Sequence, residues 1–169
     1  VDGLPVGRLS RTLGERSLVI PAGDTLSVLV EDQGRVNYDH RLGEQKGLIG
    51  QATLDGSPLT GWTATPVAAS ASAITAEQRS GMPEAWEGSF ELDAAADLFL
   101  DTSSWGKGFA FVNGFALGRY WRTGPTGTLY VPRPVTRAGS NSVTVLELEH
   151  LLTPVAPFVA AAALGPTSE

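Results

Sequence analysis

Short runs of alternating or β-branched apolar residues, separated by turn residues, make up most of the chain. This pattern is typical of β-strands, and the helical period is almost absent. The only stretch with a weak helical pattern is 75–79, inside an Ala- and Ser-rich segment. Beside the hairpins described next, the pattern predicts strands at 18–20, 25–30, 89–92, 98–100, 128–131 and 142–149.

Three Asp-Gly or Asn-Gly pairs lie between apolar runs, at positions 2–3, 55–56 and 113–114. Both central residues of a type I′ turn need positive φ, which these pairs accept more readily than others, so each pair predicts a hairpin. Many short strands joined by Gly- and Pro-rich turns indicate an all-β fold, an antiparallel β-sandwich or jelly roll.

Residues 1–21 reappear without a gap at 112–132, so the chain carries one unit twice. After a six-residue difference in loop length the match resumes, with 26–29 standing over 143–146. About two strands' worth of sequence precede the second copy, whereas the first copy starts with its hairpin already begun. The repeat predicts one nearly complete sandwich plus the closing strands of another, and we expect the chain to derive from a longer polypeptide.

These observations divide the chain into four parts. We predict the closing part of a first sandwich at 1–66, a linker or long loop at 67–86, a second sandwich at 87–152, and a C-terminal tail at 153–169.

Composition excludes several classes of function. The net charge of the 169 residues is −6 with no cluster of Lys and Arg, which argues against a nucleic-acid partner. No apolar run approaches the roughly 20 residues that cross a bilayer, so no membrane role is predicted. The chain has no cysteine, and His40 and His150 stand apart, without a spaced run of acidic ligands. We therefore predict neither a metal site nor a cofactor.

Four motifs occur in a distinctive order: GRVNY at 34–38, KGL at 46–48, WGKG at 105–108 and VNGFALGRYW at 112–121. In order and spacing they resemble the C-terminal β-sandwich region of family 35 glycoside hydrolases, the β-galactosidases. The resemblance implies galactose-binding-like jelly-roll domains that follow a (β/α)8 catalytic barrel. It also implies that the whole enzyme hydrolyses terminal non-reducing β-D-galactose residues by a retaining mechanism.

A catalytic barrel takes about 250 residues, and the 18 acidic residues here form no recognisable catalytic pair. We therefore expect no catalytic residue in this chain and no activity from the chain alone. The resemblance implies that Tyr38 lines the galactose pocket on the barrel, with Arg35 and Asn37 fixing its loop. From the residues alone, this loop is a polar turn with a half-buried tyrosine. Asp39 stands where the family commonly has glycine, and Asp takes positive φ less readily.

A second group of candidate residues surrounds the other hairpin. Trp105 and Lys107 precede one strand, and Arg119 and Trp121 end the next. Aromatic rings beside polar donors would suit a sugar or an interdomain contact. The alternative is that these aromatic side chains fill the sandwich core or a seam between domains.

We therefore predict a non-catalytic β-sandwich portion of a β-galactosidase that supports the barrel and lines its galactose pocket. Its partners would be the barrel and the galactoside substrate. The alternatives are a free-standing carbohydrate-binding module of jelly-roll fold and an assembly domain that uses an exposed sheet edge. The location in the cell is undetermined, with a cytoplasmic parent slightly favoured by the lack of cysteine and leader.

Overall fold

The computed structural model describes residues 1–31, 34–67, 70, 84–149 and 153–164. The chain divides into two compact units, Val1–Pro66 (unit 1) and Val67–Glu169 (unit 2). In the described part, no helix could span a membrane. Every strand pairing is antiparallel, so the predicted all-β class is confirmed. The strands are β1 Thr53–Leu54, β2 Ser57–Pro58, β3 Glu84–Leu92, β4 Leu98–Asp101, β5 Lys107–Val112, β6 Phe115–Trp121, β7 Thr128–Val131, β8 Gly139–Glu147 and β9 Phe158–Val159.

Unit 2 is a sandwich of two sheets with strand orders β3-β8-β5-β6 and β7-β4-β9. Its core takes side chains from both sheets because alternate residues of each strand point inward. On the larger sheet Ala110 pairs with Val145 and Val112 pairs with Val143, and these four residues are buried. The smaller sheet contributes three buried apolar side chains, Leu100, Leu129 and Val131.

The C-terminal segment, which the sequence analysis assigned to a tail at 153–169, pairs with this sandwich over part of its described residues. Strand β9 pairs with β4, and Asp101 N donates to Pro157 O at 2.9 Å. Gly127 N donates to Ala163 O at 3.0 Å. The segment covers an edge of β4 that would otherwise be open. Local pattern does not reveal such a pairing because the two strands lie far apart in sequence.

Strand β3 begins earlier than predicted. Residues 84–86, assigned to the linker, pair with Leu146 and its neighbours in β8. The helical pattern at 75–79 lies outside the described residues.

Regular strands in the described part of unit 1 are limited to the β1-β2 hairpin. Its turn residues Asp55 and Gly56 have φ of 50° and 80°, which confirms the Asp-Gly prediction. The strands predicted at 18–20 and 25–30 are not formed as regular strands. A strand needs a neighbouring backbone to complete its ladder, and no such ladder is present along these segments within the described residues.

The internal repeat corresponds to a repeated structure. In unit 1, Asp2 N donates to Thr25 O at 2.9 Å and Thr25 N donates back to Asp2 Oδ1 at 2.8 Å. In unit 2, Asn113 N donates to Ser142 O at 3.0 Å and Ser142 N donates to Asn113 Oδ1 at 2.9 Å. Thr25 aligns with Ser142 in the repeat, and each turn residue precedes a glycine with φ of 81°. Both copies thus share one clamp between a hairpin turn and a later segment.

The two clamps differ in one respect that explains why one copy has Asp and the other Asn. Asn113 Nδ2 donates to Val135 O and to Asn141 Oδ1, both at 2.8 Å. The Asp2 carboxylate instead accepts from Asp24 N at 3.1 Å and Thr25 N at 2.8 Å. The site of Asn113 therefore needs a donor, whereas the site of Asp2 is satisfied by an acceptor alone.

We expect Asn113→Asp to lower the free energy of unfolding of unit 2 by about 2–3 kcal/mol, because a carboxylate would face two acceptors. The matched change Asp2→Asn keeps the accepting Oδ1 and should cost less than about 1 kcal/mol. Urea unfolding followed by NMR signals of each unit measures both. Equal effects of the two substitutions would contradict this account.

Candidate functional site

Tyr38 lies in unit 1 on the loop that follows Gly34, and its side chain is 81% exposed. The next residue, Asp39, has φ of 67°, in the left-handed region. Asp39 therefore takes the conformation that a glycine would favour at this place. A turn follows directly, in which Leu42 N donates to Asp39 O at 3.1 Å and Glu44 N donates to Arg41 O at 3.1 Å.

Ion pairs brace this turn. Arg41 donates to both carboxylate oxygens of Glu44, at 2.7 and 2.9 Å. Arg11 forms an ion pair with the same carboxylate, and its Nη1 donates to Gln45 O at 2.6 Å. The bidentate arrangement holds an arginine more firmly than a single contact does. The turn after Tyr38 is thereby tied to the turn at 11–14.

Arg35 and Asn37, to which the resemblance gave the role of fixing the loop, are both exposed. Within the described residues neither side chain makes a hydrogen bond or an ion pair. Inside this unit the bracing comes from Arg11, Arg41 and Glu44 instead. Sequence reasoning missed these three, although Arg41 and Glu44 have the i, i+3 spacing of a local ion pair.

The second group of candidate residues divides into one core side chain, Trp105, and three side chains that contact one another, Lys107, Arg119 and Trp121. Trp105 is 2% exposed, packs edge-on against Tyr120 at 5.1 Å between ring centroids, and donates from Nε1 to Val155 O at 3.0 Å. It is therefore a core side chain. By contrast, Lys107 Nζ lies 4.3 Å from the centroid of the Trp121 ring. Arg119 Cζ lies 5.3 Å from the same ring, so these three form a cation–π cluster.

Two backbone N–H groups of the WGKG motif donate to the carboxylate of Glu147, a residue that sequence reasoning missed. This side chain is 0% exposed and accepts hydrogen bonds from four donors. They are Gly106 N at 3.3 Å, Lys107 N at 2.8 Å, Tyr120 Oη at 2.9 Å and Glu149 N at 3.0 Å. Burial, with the nearby Glu147 charge, raises the pKa of Tyr120 well above its ordinary value, so the hydroxyl remains a donor. The sequence feature that could have revealed this buried carboxylate is the acidic residue Glu147 at the end of the otherwise largely apolar segment 143–147 of β8.

A carboxylate also organises one edge of the smaller sheet, at the surface. Asp97 Oδ1 accepts from Tyr130 Oη at 2.6 Å and from Arg133 N at 2.7 Å. The Tyr130 hydroxyl and then the Arg133 amide lower the pKa of Asp97 below its usual range. The same bond raises the pKa of Tyr130, because the hydroxyl proton is held by the carboxylate.

We expect Tyr130→Phe to raise the pKa of Asp97 toward its ordinary value, since the largest stabilising bond to the carboxylate is lost. A carboxyl whose pKa is lowered in the folded state stabilises it above the unfolded pKa and loses that effect as pH falls through the folded pKa. The variant should therefore lose less stability than the parent as pH falls through the acid range, because less of the contribution of Asp97 remains at neutral pH. A carboxyl-carbon NMR titration of Asp97 measures the shift, and Tyr38→Phe, at an exposed tyrosine of unit 1, should leave the curve unchanged.

Within the described residues, no group of three His, Cys, Asp or Glu side chains could hold a metal ion. The candidate functional feature of unit 1 is an exposed tyrosine on a braced loop. Those of unit 2 are a cation–π cluster and a surface carboxylate beside an exposed tyrosine. None of these arrangements contains the pair of carboxyl groups that glycoside hydrolysis requires.

Comparison with known families defines the class of protein. Residues 1–68 match the family model described as the first all-beta domain of β-galactosidase. Residues 84–141 match the model described as the galactose-binding domain of β-galactosidase. The chain therefore belongs to the β-galactosidase family and consists of non-catalytic β domains, which confirms the resemblance found in the sequence motifs.

Individual relatives agree with this assignment. The chain is 37% identical over 176 residues to the β-galactosidase of Mus musculus, covering 88% of this chain and 27% of that protein. It is 40% identical over 158 residues to the β-galactosidase of Xanthomonas manihotis, covering 86% of this chain and 26% of that protein. The chain thus spans about a quarter of the length of these relatives.

Proposed function

We propose that this chain works inside a β-galactosidase, where it supports a (β/α)8 catalytic barrel and presents Tyr38 to the wall of the galactose pocket. The whole enzyme would hydrolyse terminal non-reducing β-galactose with two barrel carboxyl groups about 5 Å apart, as retaining glycosidases do. The single observation that carries the proposal is the Tyr38 side chain, 81% exposed on a braced loop.

The bracing supports a binding role. A large aromatic side chain is usually buried at least in part. An exposed one on a loop contributes little to the stability of its own unit, because little of its apolar area is removed from water. Here Arg11, Arg41 and Glu44 fix the turn beside it, at the cost of ordering long side chains. Such ordering before binding reduces the entropy lost when a partner or substrate is engaged.

The test uses the full-length β-galactosidase polypeptide that contains this chain, with a chromogenic β-galactoside as substrate. We expect Tyr38→Ala to lower kcat/KM by about tenfold or more, equivalent to at least about 1.4 kcal/mol of transition-state stabilisation. Phe115→Ala, at an aromatic residue of unit 2 that is 51% exposed, is the matched control and should leave kcat/KM unchanged. An unaltered kcat/KM for Tyr38→Ala would refute the pocket-wall role.

A second candidate function is that of a free-standing carbohydrate-binding module. The cation–π cluster of Lys107, Arg119 and Trp121 favours it, since polar donors beside an aromatic ring suit a sugar. Titration of the chain alone with lactose, following the Trp121 indole by NMR, decides between the two. Saturable shifts of that indole favour the module, and their absence favours the scaffold role.

A further inference from the structure

The outer face of the smaller sheet carries a row of exposed apolar side chains. Phe99 pairs with Tyr130 on one side and with Val159 on the other, so the three side chains lie side by side across β7, β4 and β9. Tyr130 is 51% exposed and Val159 36%, and Phe99 is half-buried. Their strand neighbours Leu100 and Val131 point the other way, into the core, and are 0% exposed.

The row contains a two-ring platform. The centroids of Phe99 and Tyr130 are 5.5 Å apart, with the ring planes tilted by 41°. The Tyr130 hydroxyl is fixed by its 2.6 Å bond to Asp97, which restricts the rotation of the ring. An immobilised, solvent-facing aromatic surface loses little entropy when a flat apolar ligand covers it.

Polar groups of both signs flank this platform. Both hydrogen bonds that the described residues donate to the Asp97 carboxylate go to Oδ1, and Asp97 is an exposed residue. The backbone N–H of Arg133 donates to Asp97 Oδ1. The Arg133 guanidinium makes no hydrogen bond or ion pair within the described part of the chain. A charged acceptor and a charged planar donor therefore lie next to an aromatic surface.

We propose that this face of unit 2, formed by Phe99, Tyr130, Asp97 and Arg133, binds a pyranose sugar. One face of a pyranose such as galactose carries mainly C–H groups and suits an aromatic ring. Its hydroxyl groups both donate and accept, which matches a carboxylate beside a guanidinium. A purely apolar ligand would leave both charged groups unused, and a phosphate would be repelled by Asp97. The proposal does not depend on Tyr38 or on a catalytic barrel.

The test is an NMR titration of the full chain with methyl β-D-galactopyranoside, following backbone amides and aromatic side chains. We expect saturable shifts at Phe99, Tyr130 and the Arg133 amide. Tyr130→Ala should weaken the apparent affinity at least about tenfold, because the exposed ring is lost, whereas Tyr130→Phe should retain most of it. Phe115→Ala, equally exposed on another strand of the same unit, should not change the titration.

A second variant keeps the test valid if Tyr130→Ala disturbs the sheet. Arg133→Gln alters a surface side chain outside the strands and should weaken binding severalfold with the strand amides unshifted. Saturable shifts that map elsewhere, or no saturable shifts up to the solubility limit, would overturn the proposal. So would shifts at these same residues that depend on protein concentration without sugar, since they would identify the face as a contact between copies of the chain.

Discussion

Replacing Glu147 with alanine should lower the free energy of unfolding of unit 2 by about 3–5 kcal/mol. The carboxylate is fully buried, and its removal leaves the Tyr120 hydroxyl and three backbone N–H groups without their acceptor. These groups belong to the start of β5, the end of β6 and the residues after β8. The substitution therefore disconnects three strand ends at once. Urea unfolding of the full chain, followed by NMR signals of β8, measures the loss.

Two controls separate the buried acceptor from the charge as such. Glu147→Gln keeps one accepting oxygen and should recover roughly half of the loss. Glu149→Ala removes an acidic side chain two residues away, whose bond to Arg122 at 3.1 Å joins a half-exposed arginine. A pair of this kind contributes about 1 kcal/mol or less. If Glu149→Ala cost as much as Glu147→Ala, the buried network would not be the cause.

Gly108→Ala should be comparably damaging, with a loss of about 3 kcal/mol or more. An added Cβ would overlap the Leu146 carbonyl oxygen and would lie 2.6 Å from Tyr120 Oη. The first obstacle is backbone in the central strand β8, which cannot move without disturbing its pairing with β3 and β5. The Tyr120 ring could move only by giving up its bond to Glu147. A shift in the urea midpoint of unit 2 is the readout.

Gly88 offers the matched control on the other side of β8. A Cβ there would meet only Val143 Cγ1, at 3.4 Å, an ordinary contact distance. Because glycine weakens a strand interior, Gly88→Ala should be neutral or stabilising by about 0.5–1 kcal/mol. A similar loss at both glycines would show that any side chain at these positions harms the sheet, and that close packing at Gly108 is not specific.

Local signals were enough for much of the fold. The Asp55 and Asn113 turns were predictable because two positive φ values strongly restrict which residues fit. Strand β7 was predicted with its observed bounds, since three of its four residues, TLYV, are β-branched or aromatic. The clamp shared by Asp2 and Asn113 was implicit in the repeat, although its hydrogen bonds were not foreseen.

What the sequence left open depends on partners far along the chain. The burial of Trp105 follows from Val155 and Tyr120, which no pattern around residue 105 reveals. The segments at 18–20 and 25–30 have strand-like composition, but composition does not supply a neighbouring backbone to pair with. Glu147 was overlooked because acidic residues are ordinarily exposed, and only the surrounding donors make its burial favourable.

Strand β9 has a consequence for synthesis on the ribosome. Strand β4 is made early, yet one of its two neighbours, Phe158–Val159, is translated only after all of β5 to β8. During translation the larger sheet can pair from β3 to β8 while one edge of β4 stays unprotected. Because pairings between distant segments form slowly and leave edges open to other chains, this interval exposes the nascent protein to aggregation. Closure of the smaller sheet must therefore wait until residue 159 has left the exit tunnel.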